Sequence, residues 1–190
     1  RAVMSLPRLC FTDNMFCCIQ VLPPMGIPLE RHTGASWNQG MELMMERCLD
    51  ARYIITLDYD TVFTRKNVEN LLRTIETNPE IDALCALQMR REQDGLLFYF
   101  DRGHSDKPKE VAIPVEELRN PSLPVLTGHF GFTVIRVESL KKVPKPWLAA
   151  IPDENGSWGQ GRMDADIAFW RRWNDAGNTL HVATRVPVGH

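Results

Sequence analysis

Tyr53-Ile-Ile-Thr-Leu57 constrains the fold more than any other stretch of this chain. Five residues, β-branched or apolar almost throughout, are too few for a buried helix and read as a strand covered on both faces. Helical patterns lie on either side of it. Upstream, Trp37, Met41, Met44, Met45 and Cys48 fall on one face of a helix spanning 34–50. Downstream, Thr64 caps a helix whose Val68, Leu71, Leu72 and Ile75 form an inner stripe before Asn78-Pro79. Another buried strand follows over 81–87. Strand, helix, strand in this order predicts an α/β sheet, mostly parallel and flanked by helices.

The remaining segments fit that plan. Ala2–Leu6 is a short apolar strand stopped by Pro7, and a helix over 13–22 is ended by Pro23, Pro24, Gly26 and Pro28. Asp94-Gly95 marks a hairpin turn before an exposed strand over 96–100. Residues 101–124, rich in charge and proline, read as a long excursion or a lid. Strand pattern resumes over 133–136, a helix with an acidic start runs over 164–176 to Gly177, and a short strand over 179–183 precedes Val188-Gly189-His190.

Composition narrows the class. With 190 residues, 44% hydrophobic and 24% charged, the chain has the size and make-up of one ordinary globular domain. Lys+Arg of 22 against Asp+Glu of 24 leaves net −2, no basic excess for a nucleic-acid backbone. No apolar run reaches the ~18 residues of a membrane span, and no signal peptide is visible. A start at Arg1 rather than Met points to a trimmed or partial chain. Cys10, Cys17, Cys18, Cys48 and Cys85 form no CxxC pair, and apolar neighbours make most of them buried free thiols of a reducing cytoplasm.

Three places carry chemistry. Asp58-Tyr59-Asp60 follows the buried strand, and in extended chain the side chains at i and i+2 point the same way, so two carboxylates converge. Ligands of open α/β sheets bind beyond the carboxyl ends of strands. Converged carboxylates repel unless a cation or proton lies between them, and a hard divalent cation with positions left for phosphate oxygens meets that need. Solvated turn carboxylates are the plain alternative. Met163-Asp164-Ala165-Asp166 opens a helix, where Asp164 suits the N-cap and Asp166 the first turn, so an ordinary helix start explains both. His190, after a short strand, is either a solvated terminal residue or an imidazole able to reach a metal.

Taken in order, Asp58-x-Asp60, Thr127-Gly128-His129-Phe130-Gly131-Phe132, Asp164-x-Asp166 with Ile-Ala-Phe-Trp-Arg-Arg, and Gly189-His190 resemble the GT-A glycosyltransferases, in particular the inverting family 2 type. The resemblance covers almost the whole chain, since Ala2–Pro7 looks like the family's first strand and nucleotide loop. It implies a single Rossmann-like α/β domain over 1–190, with 1–100 binding a UDP- or GDP-sugar and 101–190 supplying acceptor and catalytic groups. It also implies Mn²⁺ or Mg²⁺ held by Asp60 and His190, with Asp58 on the ribose or a metal-bound water. An aspartate of the second cluster would deprotonate the acceptor hydroxyl. Where family members carry Glu-Asp, this chain has Ala165-Asp166, which leaves the base between Asp164 and Asp166; an N-cap side chain is occupied by its own first turn, which favours Asp166. Pro7, Arg8, Tyr59 and Arg90 are candidates for the nucleotide, with Arg31 and Arg91 also able to reach phosphates. Gly128, His129, Trp147 and Trp158 are candidates for the acceptor, and Trp37 for stacking.

Two other readings compete. Asp58-Tyr-Asp-Thr-Val62 also matches the first motif of haloacid-dehalogenase-type phosphatases, with Asp58 as nucleophile, Asp60 as acid/base, Thr127 and Lys141 or Lys142 on phosphate, and Asp164 and Asp166 on magnesium. That motif normally opens its domain, whereas here a strand and two helices precede it. Five tryptophans and Ala165 leave room for a non-catalytic carbohydrate-binding module.

Overall fold

The computed structural model describes residues 1–6, 11–34, 36–89 and 116–189. Within them the strands are β1 (Ala2–Leu6), β2 (Leu29–Thr33), β3 (Tyr53–Leu57), β4 (Ala83–Gln88), β5 (Leu123–Pro124), β6 (Phe132–Arg136) and β7 (Leu180–Val188). The helices are α1 (Thr12–Val21), α2 (Trp37–Arg47), α3 (Arg65–Thr77), α4 (Val137–Leu140) and α5 (Ala165–Asp175). All seven strands join one sheet in the order β2-β1-β3-β6-β4-β7-β5. β2, β1, β3, β4 and β7 run one way; β6, between β3 and β4, and β5, at the edge, run the other.

Strand alternation sorts the side chains onto two faces. Ala2, Met4, Tyr53, Ile55, Leu57, Leu84 and Ala86 pack with α1 and α3 through Cys18, Val21, Val68, Leu71 and Ile75. Val3, Ile54, Ala83, Cys85 and Ile135 pack on the other face with α2 and α5 through Met41, Met44, Met45, Phe169, Trp170 and Trp173. Period two in the strands against 3.6 in the helices gives three layers, helix, sheet and helix. All five residues of β3 are buried, as a strand covered on both faces requires.

Thr64 caps α3 as expected, through a full capping box: the Asn67 N–H donates to Thr64 Oγ1 at 3.3 Å and the Thr64 N–H donates to Asn67 Oδ1 at 2.8 Å. Gly177, with φ +77°, closes α5. Cys18, Cys48 and Cys85 are buried free thiols and Cys17 is half-buried; Cys10 lies outside the described residues.

Three features depart from expectation. β2 was not foreseen, because Leu-Glu-Arg-His-Thr has no apolar alternation; it is an edge strand, and polar side chains suit an edge. The last strand does not stop at residue 183. A bulge after Ala183 takes up Thr184–Val186, with the Thr184 N–H donating to the Pro121 carbonyl at 3.2 Å, and pairing resumes at Leu87↔Pro187 and Gln88↔Val188. The helix expected over 34–50 begins only at Trp37. The hairpin turn at Asp94-Gly95 and the strand over 96–100 lie outside the described residues, as does most of the excursion.

Arg136 anchors the reversed strand. Its guanidinium donates to the Ile81 carbonyl at 2.7 Å, Tyr53 Oη at 3.1 Å, the Asn78 carbonyl at 3.3 Å and the Ile75 carbonyl, closing the end of α3 onto the sheet. Arg136→Ala leaves several of these acceptors without a charged donor, and is expected to cost about 2–4 kcal/mol in urea unfolding. A cost below 0.5 kcal/mol would show that water replaces the guanidinium freely.

Candidate active site at the carboxyl edge of the sheet

The chain leaves β1 toward β2 on one side and returns to β3 on the other, so the strand order reverses between β1 and β3. This is the topological switch point of an open α/β sheet, where a crevice forms beyond the carboxyl ends of the strands. Met4 pairs with Leu57, which sets those two ends side by side. Asp58 is the first residue beyond β3, and Asp58, Tyr59 and Asp60 are all half-buried.

The turn that carries them is held from several directions. The Asp58 N–H donates to the Gly131 carbonyl at 3.1 Å, and the Phe11 N–H to the Tyr59 carbonyl at 3.4 Å. The Phe11 and Tyr59 rings stack with centroids 6.0 Å apart. Val62 and Gly189 exchange backbone hydrogen bonds of 2.9 and 3.0 Å, which docks Gly189 on a residue two positions after Asp60. His190 itself lies outside the described residues, as do Pro7, Arg8, Arg90 and Arg91. Among the described residues no group of three or more His, Cys, Asp or Glu side chains comes together as a metal site. Two carboxylates that leave the other positions to phosphate oxygens and water are nevertheless a donor set suited to a hard cation such as Mg²⁺.

α5 brings the second acidic cluster to the same edge. A short connection joins its C-terminal end to the start of β7, so the helix runs back along the strands and its N-terminus lies where β3, β4 and β7 end. Phe130, two residues ahead of β6, packs edge-on against Phe169 at 5.0 Å and against Trp37 at 5.5 Å, tying α5 and α2 to this edge. Asp164 occupies the N-cap position, but its side chain does not turn back onto the helix. Its exposed carboxylate accepts from Arg162 Nε at 2.9 Å instead. Asp166 takes the inward role: it is half-buried and accepts the Ile167 N–H at 2.8 Å. Burial pushes the Asp166 carboxyl above its ordinary value; the Ile167 N–H opposes that rise and the nearby Asp164 charge adds to it. The expectation that capping occupies Asp164 is therefore corrected, because an arginine two residues back competes for it.

The acceptor candidates divide. Trp147 is 2% exposed, with its indole N–H given to the Val143 carbonyl at 3.0 Å, so it is a core residue with no face for a sugar. Glu42 of α2 accepts the N–H groups of Trp147 and Leu148 at 2.8 and 3.0 Å and fixes that loop. His129 turns inward, its Nε2 2.8 Å from the Ala86 carbonyl. Gly128 lies against Cys85, whose Sγ would be 2.9 Å from an added Cβ. Trp158 alone of the four is open to solvent, at 59%, with Arg162 donating to its carbonyl at 3.3 Å. Trp37 is half-buried against Phe130.

Residues that sequence reasoning missed sit beneath the turn. Asn14, Thr61 and Gln88 are buried there, and Gln88 Nε2 donates to Thr61 Oγ1 at 3.4 Å. The available signal was Asn14, a polar residue on the inner stripe of α1 with Cys18 and Val21.

No protein-family model matches the chain, and no curated protein matches it by sequence. Solved structures do. The structure of A197 from STIV superposes with TM-score 0.60 at 16% identity, over 96% of this chain and 81% of that one. The structure of GalNAc-T7 with UDP, GalNAc and Mn²⁺ superposes with TM-score 0.66 at 13% identity, over all of this chain but 43% of that one. The likeness is one of fold. The expected GT-A-like α/β architecture, a mostly parallel sheet flanked by helices, is the architecture found. Among the described residues no helix is long and apolar enough to cross a membrane.

Proposed function

We propose that the protein is a metal-dependent glycosyltransferase that moves a sugar from a UDP- or GDP-sugar to an acceptor hydroxyl with inversion. The observation that carries the reading is Asp58-x-Asp60, placed directly beyond β3 at the switch point, with Gly189 docked beside it on Val62. Support also comes from the fold shared with GalNAc-T7, whose structure is of that protein with UDP, GalNAc and Mn²⁺.

Asp60 and His190 would hold Mn²⁺ or Mg²⁺, with Asp58 on the ribose or a metal-bound water. When bound, such a cation offsets the charge of the departing diphosphate. Asp166 takes the proton of the acceptor hydroxyl; the hydroxyl oxygen forms the new bond to the anomeric carbon, and the bond to the diphosphate oxygen breaks with its electron pair. A carboxyl raised by burial is a stronger base than an ordinary one, which suits Asp166 to that step. Trp158 is the remaining candidate of the four for the acceptor. Pro7, Arg8, Tyr59 and Arg90 remain the candidates for the nucleotide.

The phosphatase arrangement has less support. β6 runs away from the carboxyl edge, so Lys141, paired with Glu138 at 2.6 Å just past α4, belongs to the opposite edge from Asp58. With Mn²⁺, slow hydrolysis of a UDP- or GDP-sugar to the nucleoside diphosphate is expected, and no BeF₃⁻ adduct at Asp58. Phosphate release from simple phosphomonoesters, abolished by Asp58→Asn, would establish the phosphatase instead. Nucleotide-independent binding of oligosaccharide, with no turnover, would establish the binding module.

A further inference from the structure

We infer that Asn14 positions the Asp58–Thr61 turn, and that its side-chain amide sets how the two carboxylates are presented to a metal-bound nucleoside diphosphate. The inference rests on the transferase reading and extends it to a residue outside the acidic motifs.

Asn14 lies in the first half of α1 with no exposed surface. Its Nδ2 donates to the Asp58 carbonyl at 2.9 Å and to the Thr61 carbonyl at 2.8 Å. Both amide hydrogens are thus spent on the two residues that bracket the turn. The turn's own closing bond, from the Thr61 N–H to the Asp58 carbonyl, is 3.4 Å and longer than an ordinary N–H···O bond. The short bonds come from the helix and the long one from the turn itself. Asp58 and Asp60 occupy the first and third positions of that turn, so tilting its peptides redirects both carboxylates.

A core stripe made of Asn14, Cys18 and Val21 has no packing need for an amide at its first position. Burying one costs stability unless its hydrogen bonds are specific. Here its two amide hydrogens go to main-chain carbonyls of the turn, and its Oδ1 accepts from Cys18 Sγ at 4.0 Å within the helix. The same turn is pinned on its far side by Val62 and Gly189. Asn14 therefore acts at one remove from any ligand. Outer-shell partners of this kind are worth roughly 10–100-fold in metal affinity.

The test uses Asn14→Ala and Asn14→Asp, the second keeping the volume while losing both donors. Val21→Ala on the same helix serves as a packing control. Free Mn²⁺ is counted by electron paramagnetic resonance during titration with UDP or GDP present, and exchange of the Thr61 and Val62 amide hydrogens is followed without ligand. Both Asn14 variants are expected to need roughly 10–100-fold more Mn²⁺ and to exchange those two amides faster, while Val21→Ala lowers the melting temperature without moving the Mn²⁺ requirement. Faster exchange with unchanged Mn²⁺ uptake overturns the positioning role and leaves a structural clamp. An equal Mn²⁺ shift in Val21→Ala, or loss of the fold in both Asn14 variants, overturns it as well. If wild-type protein takes up no Mn²⁺ with either nucleotide, the transferase reading fails first and the role falls with it, while the exchange data still report whether the clamp exists.

Discussion

Asp166→Asn is expected to lower turnover by about 10² to 10⁴ and to raise the melting temperature at neutral pH. The two effects share one cause. Burial holds the Asp166 carboxyl above its ordinary value, so the fold favours the protonated form. The stability this represents is fully present below the unfolded value and is lost as pH rises through the raised folded value. At neutral pH the native protein therefore carries an unfavourable charge. Asparagine removes that charge and keeps an oxygen for the Ile167 N–H, and each kcal/mol of relief is worth roughly 2–4 °C in a domain of this size. A general base must be deprotonated, so kcat/KM of the wild type should fall on the acid side through a limb lying above the ordinary carboxylate range. Asp164→Asn, on an exposed carboxylate paired with Arg162, should keep most activity. An inactive Asp164→Asn beside an active Asp166→Asn would reverse the assignment. A melting temperature that Asp166→Asn leaves unchanged or lowers would remove the burial argument.

Nucleoside diphosphate should bind with Mn²⁺ or Mg²⁺ and lose most of its affinity in EDTA. In the proposed complex Asp58 and Asp60 would meet the diphosphate as two negative groups, and without a cation that encounter would be repulsive. At ligand concentrations near a hundred times Kd, linkage contributes about 2.7 kcal/mol, a rise of roughly 5–10 °C in melting temperature. Asp60→Asn should abolish the metal-dependent part of that rise while leaving the unliganded melting temperature within a few degrees, because the residue is only half-buried at a turn. A rise of equal size in EDTA would take the metal out of the account.

Much of the architecture was legible because it rests on periodicity. Tyr53–Leu57 could only be a buried strand, and the Val68–Ile75 stripe only a helix face. Strand direction was not legible. Phe-Thr-Val-Ile-Arg reads the same whichever way β6 runs, and only pairing with β3 and β4 reveals the reversal. In the site, the place of Asp58 and Asp60 just beyond a strand end was legible, but not that they lie in a turn rather than in the extended chain that the i, i+2 spacing assumes. Asp164 is turned away from its helix by Arg162, only two positions back, while the chain at Trp147 is held by Glu42, 105 positions away. The second contact leaves no local pattern. Asn14 left one, an amide in an apolar stripe, whose partners lie 44 and 47 residues further on.

The reversal of β6 also bears on the order in which the molecule is assembled. β3 and β4 never touch as neighbours; each borders β6 instead. When only residues 1–88 have been made, the strand that separates β3 from β4 is missing, so each lacks the neighbour it has on that side in the finished sheet. Phe132–Arg136 fills that gap, and its central pairs, Ile54↔Ile135 and Leu84↔Val134, span 81 and 50 positions. Such closure is slow, since the intervening loop entropy is lost before the contacts form. Until it happens, two apolar strand edges stand open to other chains, which makes the span between synthesis of β4 and docking of β6 the interval of greatest exposure to aggregation.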